Sequence, residues 1–279
     1  MKSGGLRINK INKRSIENSP LITIITVVRN GEQIIEETIA SVLQQEYNNI
    51  EYIIIDGGST DNTIEKIKKH ENSINLWISE PDKGIYDAMN KGIALASGEW
   101  INFMNAGDQF YDFSTLKKIV SEIIKRKSDI IYGDFVAVNA NFGSQLLIKA
   151  RSLDTIYRGN LYSHQSCFVK SEVLRDNLFD TRYKITADYN QMVSLFLQNK
   201  TFFYLPIPIS IMLADGISYS NVKTYKEQMK IVHFYKPYSL YLFSYLPLIF
   251  TSYLRLILGK QLTLFIRGIK WKFLEFSNK

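Results

Sequence analysis

Short apolar runs that alternate with helical patterns constrain the fold of this chain most strongly. The runs cover residues 21–28, 50–55, 75–79 and 100–104. The first two are rich in β-branched residues and lack polar alternation, which is typical of strands buried on both faces of a sheet. Segments 34–45, 62–70 and 83–97 have helical spacing. This alternation predicts an α/β fold, with a mostly parallel sheet flanked by helices.

Three parts are predicted along the chain. Residues 1–19 are polar and basic and are expected to form a flexible lead-in, with ordered structure beginning at Pro20. Residues 20–220 contain neither repeats nor a low-complexity linker, and further strands are predicted over 129–138 and 163–169, with a helix over 187–198. They are therefore expected to form one compact domain. Residues 221–279 are predicted to form a C-terminal tail of amphipathic and apolar helices, beginning with a basic helix over 223–235.

Composition limits the size of the core and the cellular compartment that the protein is expected to occupy. Among 279 residues, 46% are hydrophobic, which is enough to bury a sizeable core. Cys167 is the one cysteine of the sequence, so a disulfide framework and a cysteine zinc cluster are both excluded. No secretory signal is visible in the polar first residues. A reducing, cytosolic setting fits these features best.

Positive charge is concentrated at the two ends of the chain. Five Lys and Arg residues stand against Glu17 in residues 1–19, and ten stand against Glu227 and Glu275 from residue 221 onward. Such ends favour an anionic partner, either nucleic acid or the inner leaflet of a membrane. Nucleic acid is disfavoured because the basic residues alternate with large apolar runs.

The tail has a long apolar stretch over 238–258, with Arg255 as its one charge. Its length would allow a membrane span. However, basic residues flank it on both sides, and the apolar residues of 262–276 follow helical spacing with basic residues among them. That pattern favours a helix lying in the plane of the membrane surface over a span. A helical pair packed on the protein itself is the remaining alternative.

Polar residues follow the predicted strands, where open α/β sheets bind ligands. Asp56 could accept a hydrogen bond from a nucleotide, or it could open the turn that continues through Gly57 and Gly58. Residues 105–108 form an acidic turn, and Asp108 could bind Mg²⁺ or Mn²⁺ if a diphosphate supplied further ligands. The alternative is a turn without a metal. Asp61 is expected to cap the next helix.

Other candidate residues lie on helices or in short segments. Asp87, Asn90 and Lys91 share one face of the helix over 83–97, which could be solvated or could face a ligand. Asp188 could take a proton from an attacking hydroxyl. Alternatively, its negative charge could interact favourably with the dipole of a helix that Thr186 caps. His164 and Gln165 could hold a diphosphate or a sugar.

Four segments together resemble family 2 glycosyltransferases of the GT-A fold. These segments are 24–30, 53–61, 90–92 and 105–108. The variant is close to bacterial enzymes of capsule, colanic-acid and lipopolysaccharide assembly. The likeness covers roughly residues 20–220 and implies a GT-A (Rossmann-like), mostly parallel mixed sheet. It implies inverting transfer of a sugar from a nucleotide-diphospho-sugar to a hydroxyl of an acceptor. A lipid-linked glycan acceptor would explain the basic, apolar tail, and would place the enzyme peripherally on the cytoplasmic face of the inner membrane.

The resemblance also implies roles for particular residues. Asp188 matches the general base, and Asp108 matches the residue that binds Mn²⁺ or Mg²⁺. From the resemblance and the residues together, those expected to bind the nucleotide-sugar are Thr26, Val28, Asn30, Asp56, Lys83, Asp87, Asn90 and Asn105. His164 and Gln165 are expected at the acceptor or diphosphate from the residues alone.

The chain departs from the family pattern in two places. Gly107 stands where many members have a first aspartate, and Met89 stands where many have an arginine. Because Asp108 is the one carboxylate of the predicted metal site, a function other than catalysis is an alternative. In that case the chain is a catalytically silent nucleotide- or glycan-binding partner built on the same scaffold.

Overall fold

The computed structural model describes residues 1–139, 144–213, 222–238 and 240–257. Between residues 20 and 104 the chain alternates strands and helices as the sequence predicts. The elements of its first half are β1 (Lys2–Gly4), β2 (Ile22–Val28), α1 (Ile35–Leu43), β3 (Ile50–Asp56), α2 (Thr63–Lys69), β4 (Leu76–Ser79), α3 (Ile85–Leu95), β5 (Trp100–Phe103), β6 (Gln109–Phe110) and α4 (Thr115–Lys125). Of these, β1, β6 and α4 were not predicted.

The second half is less regular. Its elements are β7 (Ile130–Asn139), β8 (Ser144–Ile148), β9 (Cys167–Lys170), α5 (Ser171–Asp176), α6 (Ala187–Leu197), β10 (Phe202–Leu213), α7 (Val222–Tyr235) and α8 (Tyr245–Ile257). Short 3₁₀ segments lie at Leu6–Asn9, Leu153–Arg158, His164–Ser166 and Leu240–Ser244.

The described strands form one mixed sheet in the order β1-β4-β3-β2-β5-β9-β7-β10-β6, with β8 paired to β7. Strands β4, β3, β2 and β5 are parallel, and so are β7 and β10, whereas β1, β6, β8 and β9 pair antiparallel to their neighbours. The predicted α/β class, with a mostly parallel sheet between helices, is confirmed.

Alternate residues of the central strands supply the core on each side of the sheet. In β2, Ile22 and Ile24 join the cluster under α1, α2 and α4, whereas Ile25 and Val27 join the cluster under α3, α5 and α6. Successive side chains of a strand point to opposite faces, so an unbroken apolar run serves both layers. This explains why the sequence shows no polar alternation there.

Ordered structure begins before Pro20, contrary to the sequence prediction. Strand β1 pairs antiparallel with β4, and Lys2 lies opposite Ser79. The Arg7 guanidinium then donates to the Leu95 carbonyl at 2.7 Å and to the Glu51 carboxylate at 3.3 Å. Such a short edge strand is held by backbone hydrogen bonds, so it leaves no apolar pattern in the sequence.

The strand predicted over 163–169 is also wrong in its first half. His164–Ser166 forms a 3₁₀ turn, and only Cys167–Lys170 belongs to the sheet. The long strand β10 was not predicted, because Pro206 and Pro208 interrupt its pattern. Its pairing with β7 shifts register around Pro208.

The beginning of the tail packs on the body of the protein. Helix α7 confirms the helix predicted over 223–235, and Ile231 and Val232 share a core with Tyr189 and Val193 of α6 and Tyr245 of α8. Among the described residues, no helix combines the length and apolar character that crossing a membrane requires. The helical pattern of 262–276 lies outside the described residues, so attachment in the plane of a membrane stays a prediction, as does the boundary between domain and tail at residue 220.

Candidate active site

Strands β2, β3 and β5 run parallel, so the residues that follow them meet at one edge of the sheet. Asp56 ends β3, and its side chain is 1% exposed. One carboxylate oxygen accepts from the backbone N–H groups of Gly58 and Ser59, at 3.0 and 2.9 Å, and from the Ser79 hydroxyl at 2.7 Å. The Ser59 hydroxyl donates to the other oxygen. Asp56 therefore builds the turn, and its contact with a nucleotide stays a prediction.

The end of β2 offers one exposed side chain of the three that were predicted to bind nucleotide. Thr26 and Val28 are buried, and the Thr26 hydroxyl donates to the Met104 carbonyl at 2.7 Å. Asn30 is exposed at φ 51°, and its side-chain oxygen accepts from the Thr60 N–H at 2.9 Å. The geometry gives the Thr26 and Val28 side chains packing roles and leaves Asn30 at the edge.

Helix α3 uses Asn90 as a clamp. The Asn90 amide donates to the Phe179 carbonyl and accepts from the Phe179 N–H, each at 2.9 Å. Both ends of the amide are therefore taken, which neither of the two sequence interpretations anticipated. Asp87 accepts from the N–H of Lys83 at 3.1 Å and lies 3.6 Å from the Lys91 ammonium, while the Lys83 side chain is exposed.

The acidic turn and the 3₁₀ turn at His164–Ser166 lie against each other. The Gln165 amide donates to the Asp108 carboxylate at 2.5 Å, and the Asn105 amide nitrogen lies 2.9 Å from Nε2 of His164. The structure thus joins the predicted metal turn to the two residues that were predicted to hold a diphosphate or acceptor.

The fold of the acidic turn explains Gly107. Gly107 adopts φ 94°, a left-handed conformation that glycine reaches without steric cost. The Thr38 hydroxyl accepts from the Gly107 N–H at 2.9 Å and donates to the Asp108 carbonyl at 2.8 Å. An aspartate at this position would be strained in the turn as it stands.

The acidic turn has oxygen atoms that suit a hard cation, although it offers few of them. Burial raises the pKa of Asp108 to about 6, against smaller lowering effects of the Gln165 hydrogen bond and the His164 charge. Asn105 is 8% exposed, and its side-chain oxygen has no hydrogen-bond partner in the described structure. A carboxylate and an amide oxygen fit Mg²⁺ or Mn²⁺. No cluster of three or more His, Cys, Asp or Glu that could hold a metal occurs in the described ranges, so a bound ligand would have to supply further oxygens.

Asp188 lies in the first turn of α6, and its side chain is 14% exposed. The Tyr86 hydroxyl lies 3.0 Å from Oδ1, whereas Nδ1 of His164 and Nδ2 of Asn160 each lie 3.4 Å from Oδ2. Burial raises the pKa of Asp188, but the hydrogen bond and charge of His164 and the Tyr86 hydrogen bond outweigh it. The pKa is therefore below its usual value, which favours the ionised carboxylate.

Thr186 does not cap α6 through its side chain, contrary to the sequence interpretation. Its hydroxyl donates instead to Glu227 of α7 at 3.1 Å. The Glu227 carboxylate also accepts from the N–H groups of Lys184, Ile185 and Thr186 at 3.0–3.1 Å. The tail helix α7 therefore holds the segment that carries Asp188.

His164 is the residue that links the two halves of the site. One ring nitrogen faces Asp188 and the other faces Asn105. Tyr86 and Asn160 complete the surroundings of Asp188, and the sequence analysis missed both. Tyr86 lies in the singled-out helix and could have been noticed there, whereas Asn160 has no local signal.

A cavity of about 220 Å³ opens beside Asp188. Its polar lining residues are Lys149, Arg151, Asn160, Ser163, His164, Gln165 and Asp188. Its remaining wall includes apolar residues of β7, β8, β10 and the segment before the 3₁₀ turn, namely Phe135, Ala137, Ile148, Leu161, Tyr162 and Met212. The site can therefore present an ionised carboxylate to a ligand that is partly apolar.

A family model described as "Glycosyl transferase family 2" matches residues 23–181. A PGL/p-HBAD biosynthesis glycosyltransferase of Mycobacterium tuberculosis is 28% identical over 185 residues, covering 64% of this chain and 70% of that protein. An uncharacterized glycosyltransferase of Haemophilus influenzae is 30% identical over 165 residues, covering 57% of this chain and 65% of that protein. Assignment to capsule, colanic-acid or lipopolysaccharide assembly stays a prediction.

Solved structures share the fold. S. aureus TarS 1-349 in complex with UDP superposes with a TM-score of 0.61 at 21% identity. The match covers 76% of this chain and 64% of that one, so this chain spans slightly less than two thirds of the TarS fragment. The mannosyltransferase PcManGT of Pyrobaculum calidifontis, in complex with GDP-Man and Mn²⁺, gives 0.62 at 15% identity and covers 95% of this chain and 84% of that one.

Proposed function

The chain belongs to glycosyl transferase family 2, and from that premise we propose that it is a metal-dependent, inverting glycosyltransferase of surface polysaccharide synthesis. The donor is a nucleotide-diphospho-sugar and the acceptor is a hydroxyl of a lipid-linked glycan. One observation carries the proposal: Asp188, held as a carboxylate beside a cavity, is linked through His164 to the acidic turn of Asn105 and Asp108.

Asp188 serves as the general base in this scheme. Its carboxylate takes the proton of the acceptor hydroxyl, and the acceptor oxygen bonds to the anomeric carbon of the donor sugar. The bond from that carbon to the diphosphate oxygen breaks in the same displacement, and the nucleoside diphosphate leaves. A single displacement inverts the anomeric centre. The depressed pKa of Asp188 supports this role, because the group is already ionised near neutral pH.

The acidic turn serves the leaving diphosphate. Asp108 and the unpartnered oxygen of Asn105 would hold Mn²⁺ or Mg²⁺ there, and the cation would offset the negative charge that develops on the diphosphate. Asn30, Asp56, Lys83 and Asp87 remain candidates for the nucleotide side. The Mn²⁺ and GDP-Man bound to PcManGT support a divalent cation and a nucleotide-sugar donor.

The cavity beside Asp188 serves the acceptor. Its apolar wall suits an acceptor that is not uniformly polar, such as a sugar attached to a lipid carrier. His164 and Gln165 lie between this cavity and the acidic turn, where the donor sugar and the acceptor hydroxyl must meet.

The tail serves peripheral attachment to the cytoplasmic face of the inner membrane. Apolar side chains are exposed on its described part, with Leu240 82%, Phe243 65% and Phe250 66% exposed. Residues after 257 add five basic residues and further apolar ones. Apolar surface combined with positive charge is what binds an anionic bilayer.

The donor is identified by thermal-shift measurements of UDP, GDP, CMP and dTDP in the presence of Mn²⁺. Turnover of the matching nucleotide-sugar is then measured with and without EDTA. We expect EDTA and Asp108→Ala to reduce turnover strongly, and Asp188→Asn to reduce it by about 10²-fold or more while nucleotide binding is kept. The exposed Asp154, replaced by Asn, is the control and should leave turnover unchanged.

Full transfer activity in Asp188→Asn would refute the assigned base. Nucleotide binding without turnover across a panel of donors would favour the silent-partner alternative.

A further inference from the structure

Asp188 has two carboxylate oxygens with unequal surroundings. We propose that Tyr86 is a positioning residue that holds Oδ1 of Asp188, so that Oδ2 is the atom that takes the acceptor proton. This inference rests on the proposed function, since it assigns a task to the general base of that reaction.

The two carboxylate oxygens of Asp188 differ in their contact distances and in their partners. Oδ1 lies 3.0 Å from the Tyr86 hydroxyl, a normal hydrogen-bond distance. Oδ2 has two contacts of 3.4 Å, to His164 and Asn160, which lie at the outer limit of hydrogen bonding. Oδ1 therefore has the shorter contact, whereas Oδ2 can exchange one of its two longer contacts for a hydroxyl and keep the other.

The lining of the cavity also distinguishes the two oxygens of Asp188. His164 and Asn160, the neighbours of Oδ2, both line the cavity beside Asp188, whereas Tyr86 is absent from its lining. Tyr86 thus lies behind the carboxylate, and Oδ2 is on the side where an acceptor would enter. A group in this place acts on the reaction through Asp188 alone.

Tyr86 is itself fixed by its surroundings. Its side chain is 6% exposed on α3, and its ring packs against Phe179 with the ring centres 5.4 Å apart. Burial and the Asp188 charge raise the pKa of Tyr86 well above its usual value, so its hydroxyl keeps its proton in the working pH range. A rigid donor of this kind fixes the angle of the carboxylate.

The hydroxyl also has a second acceptor within reach. The Ile185 carbonyl lies 2.8 Å from the Tyr86 oxygen, and the hydroxyl has one proton to donate. The ionised Asp188 is the stronger acceptor, because its charge strengthens the hydrogen bond. Once Oδ2 has taken the acceptor proton, the charge is gone and the Tyr86 proton can turn to Ile185. Tyr86 therefore favours the ionised, reactive form of the base.

Several titratable groups bear on Asp188 and must be followed together. Tyr86 approaches from α3 and His164 from the 3₁₀ turn. Tyr162 interacts with the Asp188 charge, and Glu227 of α7 interacts with Tyr86. The readout must therefore report on the Asp188 carboxyl itself, because a pH profile alone would mix these groups.

The experiment is a ¹³C NMR titration of aspartate carboxyls in the full-length chain, with the Asp188 signal assigned from Asp188→Asn. Tyr86→Phe keeps the ring and removes the hydroxyl. We expect it to move the Asp188 midpoint to higher pH. We also expect kcat to fall about tenfold at nearly unchanged donor KM, and the acid limb of the pH profile to move the same way. Tyr52→Phe is the matched control, since Tyr52 is buried and its hydroxyl lies 3.0 Å from the Thr26 hydroxyl. It should leave the Asp188 midpoint unchanged.

A second variant guards against loss of folding in Tyr86→Phe. Replacement of Tyr86 by 3-fluorotyrosine keeps the shape and makes the hydroxyl a stronger donor, so the Asp188 midpoint should move to lower pH. An unchanged midpoint in both variants would overturn the inference. If Asp188→Asn abolished turnover while Tyr86→Phe left kcat and the Asp188 midpoint as in the wild type, the proposed function would stand and only the role of Tyr86 would fall. Full turnover in Asp188→Asn would remove the base, and both proposals with it.

Discussion

Replacement of Asp108 by Asn should stabilise the ligand-free protein above about pH 6. Burial raises the pKa of this carboxyl from 3.8 to about 6. The folded state therefore holds the Asp108 proton more tightly than the unfolded state does, and the free energy of unfolding falls as pH rises between these two values. The asparagine side chain in Asp108→Asn does not titrate, and its amide oxygen can still accept from Gln165. The variant consequently escapes this loss.

The magnitude follows from the difference between the two pKa values. Each pKa unit corresponds to about 1.4 kcal/mol, so the raised pKa of Asp108 costs about 3 kcal/mol when both states are ionised. The cost should be about 1.5 kcal/mol at pH 5 and about 0.5 kcal/mol at pH 4, where the unfolded carboxyl also begins to hold its proton. We expect the Asp108→Asn variant to gain up to these amounts.

The assay is urea unfolding of wild type and Asp108→Asn at pH 7.5, 5 and 4 in EDTA, with midpoints compared at equal slope. Asp112→Asn is the control of opposite sign. Burial raises the pKa of Asp112, but hydrogen bonds from Lys118, Ser114 and Thr115 outweigh it, so the pKa is lowered. Ionised Asp112 therefore stabilises the folded protein above pH 3.8, and this contribution is lost as the pH falls below that value. The Asp112→Asn variant should consequently be less stable than the wild type at pH 7.5. Equal stability of wild type and Asp108→Asn at pH 7.5, or a gain that does not shrink toward pH 4, would refute the reasoning.

Three further predictions concern the clamp on α3, the Asp56 turn and the exposed tail. Asn90→Ala leaves the Phe179 backbone groups without partners and should lower the free energy of unfolding by about 1–3 kcal/mol, measured by urea unfolding. Asp56→Asn places an amide against hydrogen-bond donors and should cost about as much by the same measurement. An unchanged midpoint would contradict either one. Replacing Phe243 and Phe250 together by Ser should weaken flotation with anionic phosphatidylglycerol vesicles, while thermal unfolding stays near the wild-type midpoint. Equal flotation of the two proteins would count against this part of the tail as the contact surface.

Local sequence patterns predicted the strands and helices between residues 20 and 104, because these elements are regular and follow one another closely along the chain. The run 21–28 shows in its own residues that both faces are buried, and the structure divides it between the two core layers. Strand β10 was missed because Pro206 and Pro208 break its pattern, and pairing with β7 on one edge and β6 on the other holds it in place.

The candidate site divides in a similar way. The sequence identified Asn105, Asp108, His164, Gln165 and Asp188 separately, because each stands at the end of a strand or the start of a helix, or belongs to a family motif. It did not reveal that Asn90 binds the Phe179 backbone, and for Asp56 it left open both the turn that the structure shows and a contact with a nucleotide. Those outcomes depend on which backbone groups lie within hydrogen-bond reach.

By itself, then, the sequence determined the α/β class, the edge of the sheet where the candidate residues after β2, β3 and β5 meet, and the family of the chain. Only the tertiary structure decided that His164 lies between Asp188 and Asn105 and that the Tyr86 hydroxyl contacts Asp188. These contacts link residues 59 and 102 positions apart. Periodicity records which face of its own helix or strand a residue occupies, whereas contacts across such distances arise from the packing of whole elements.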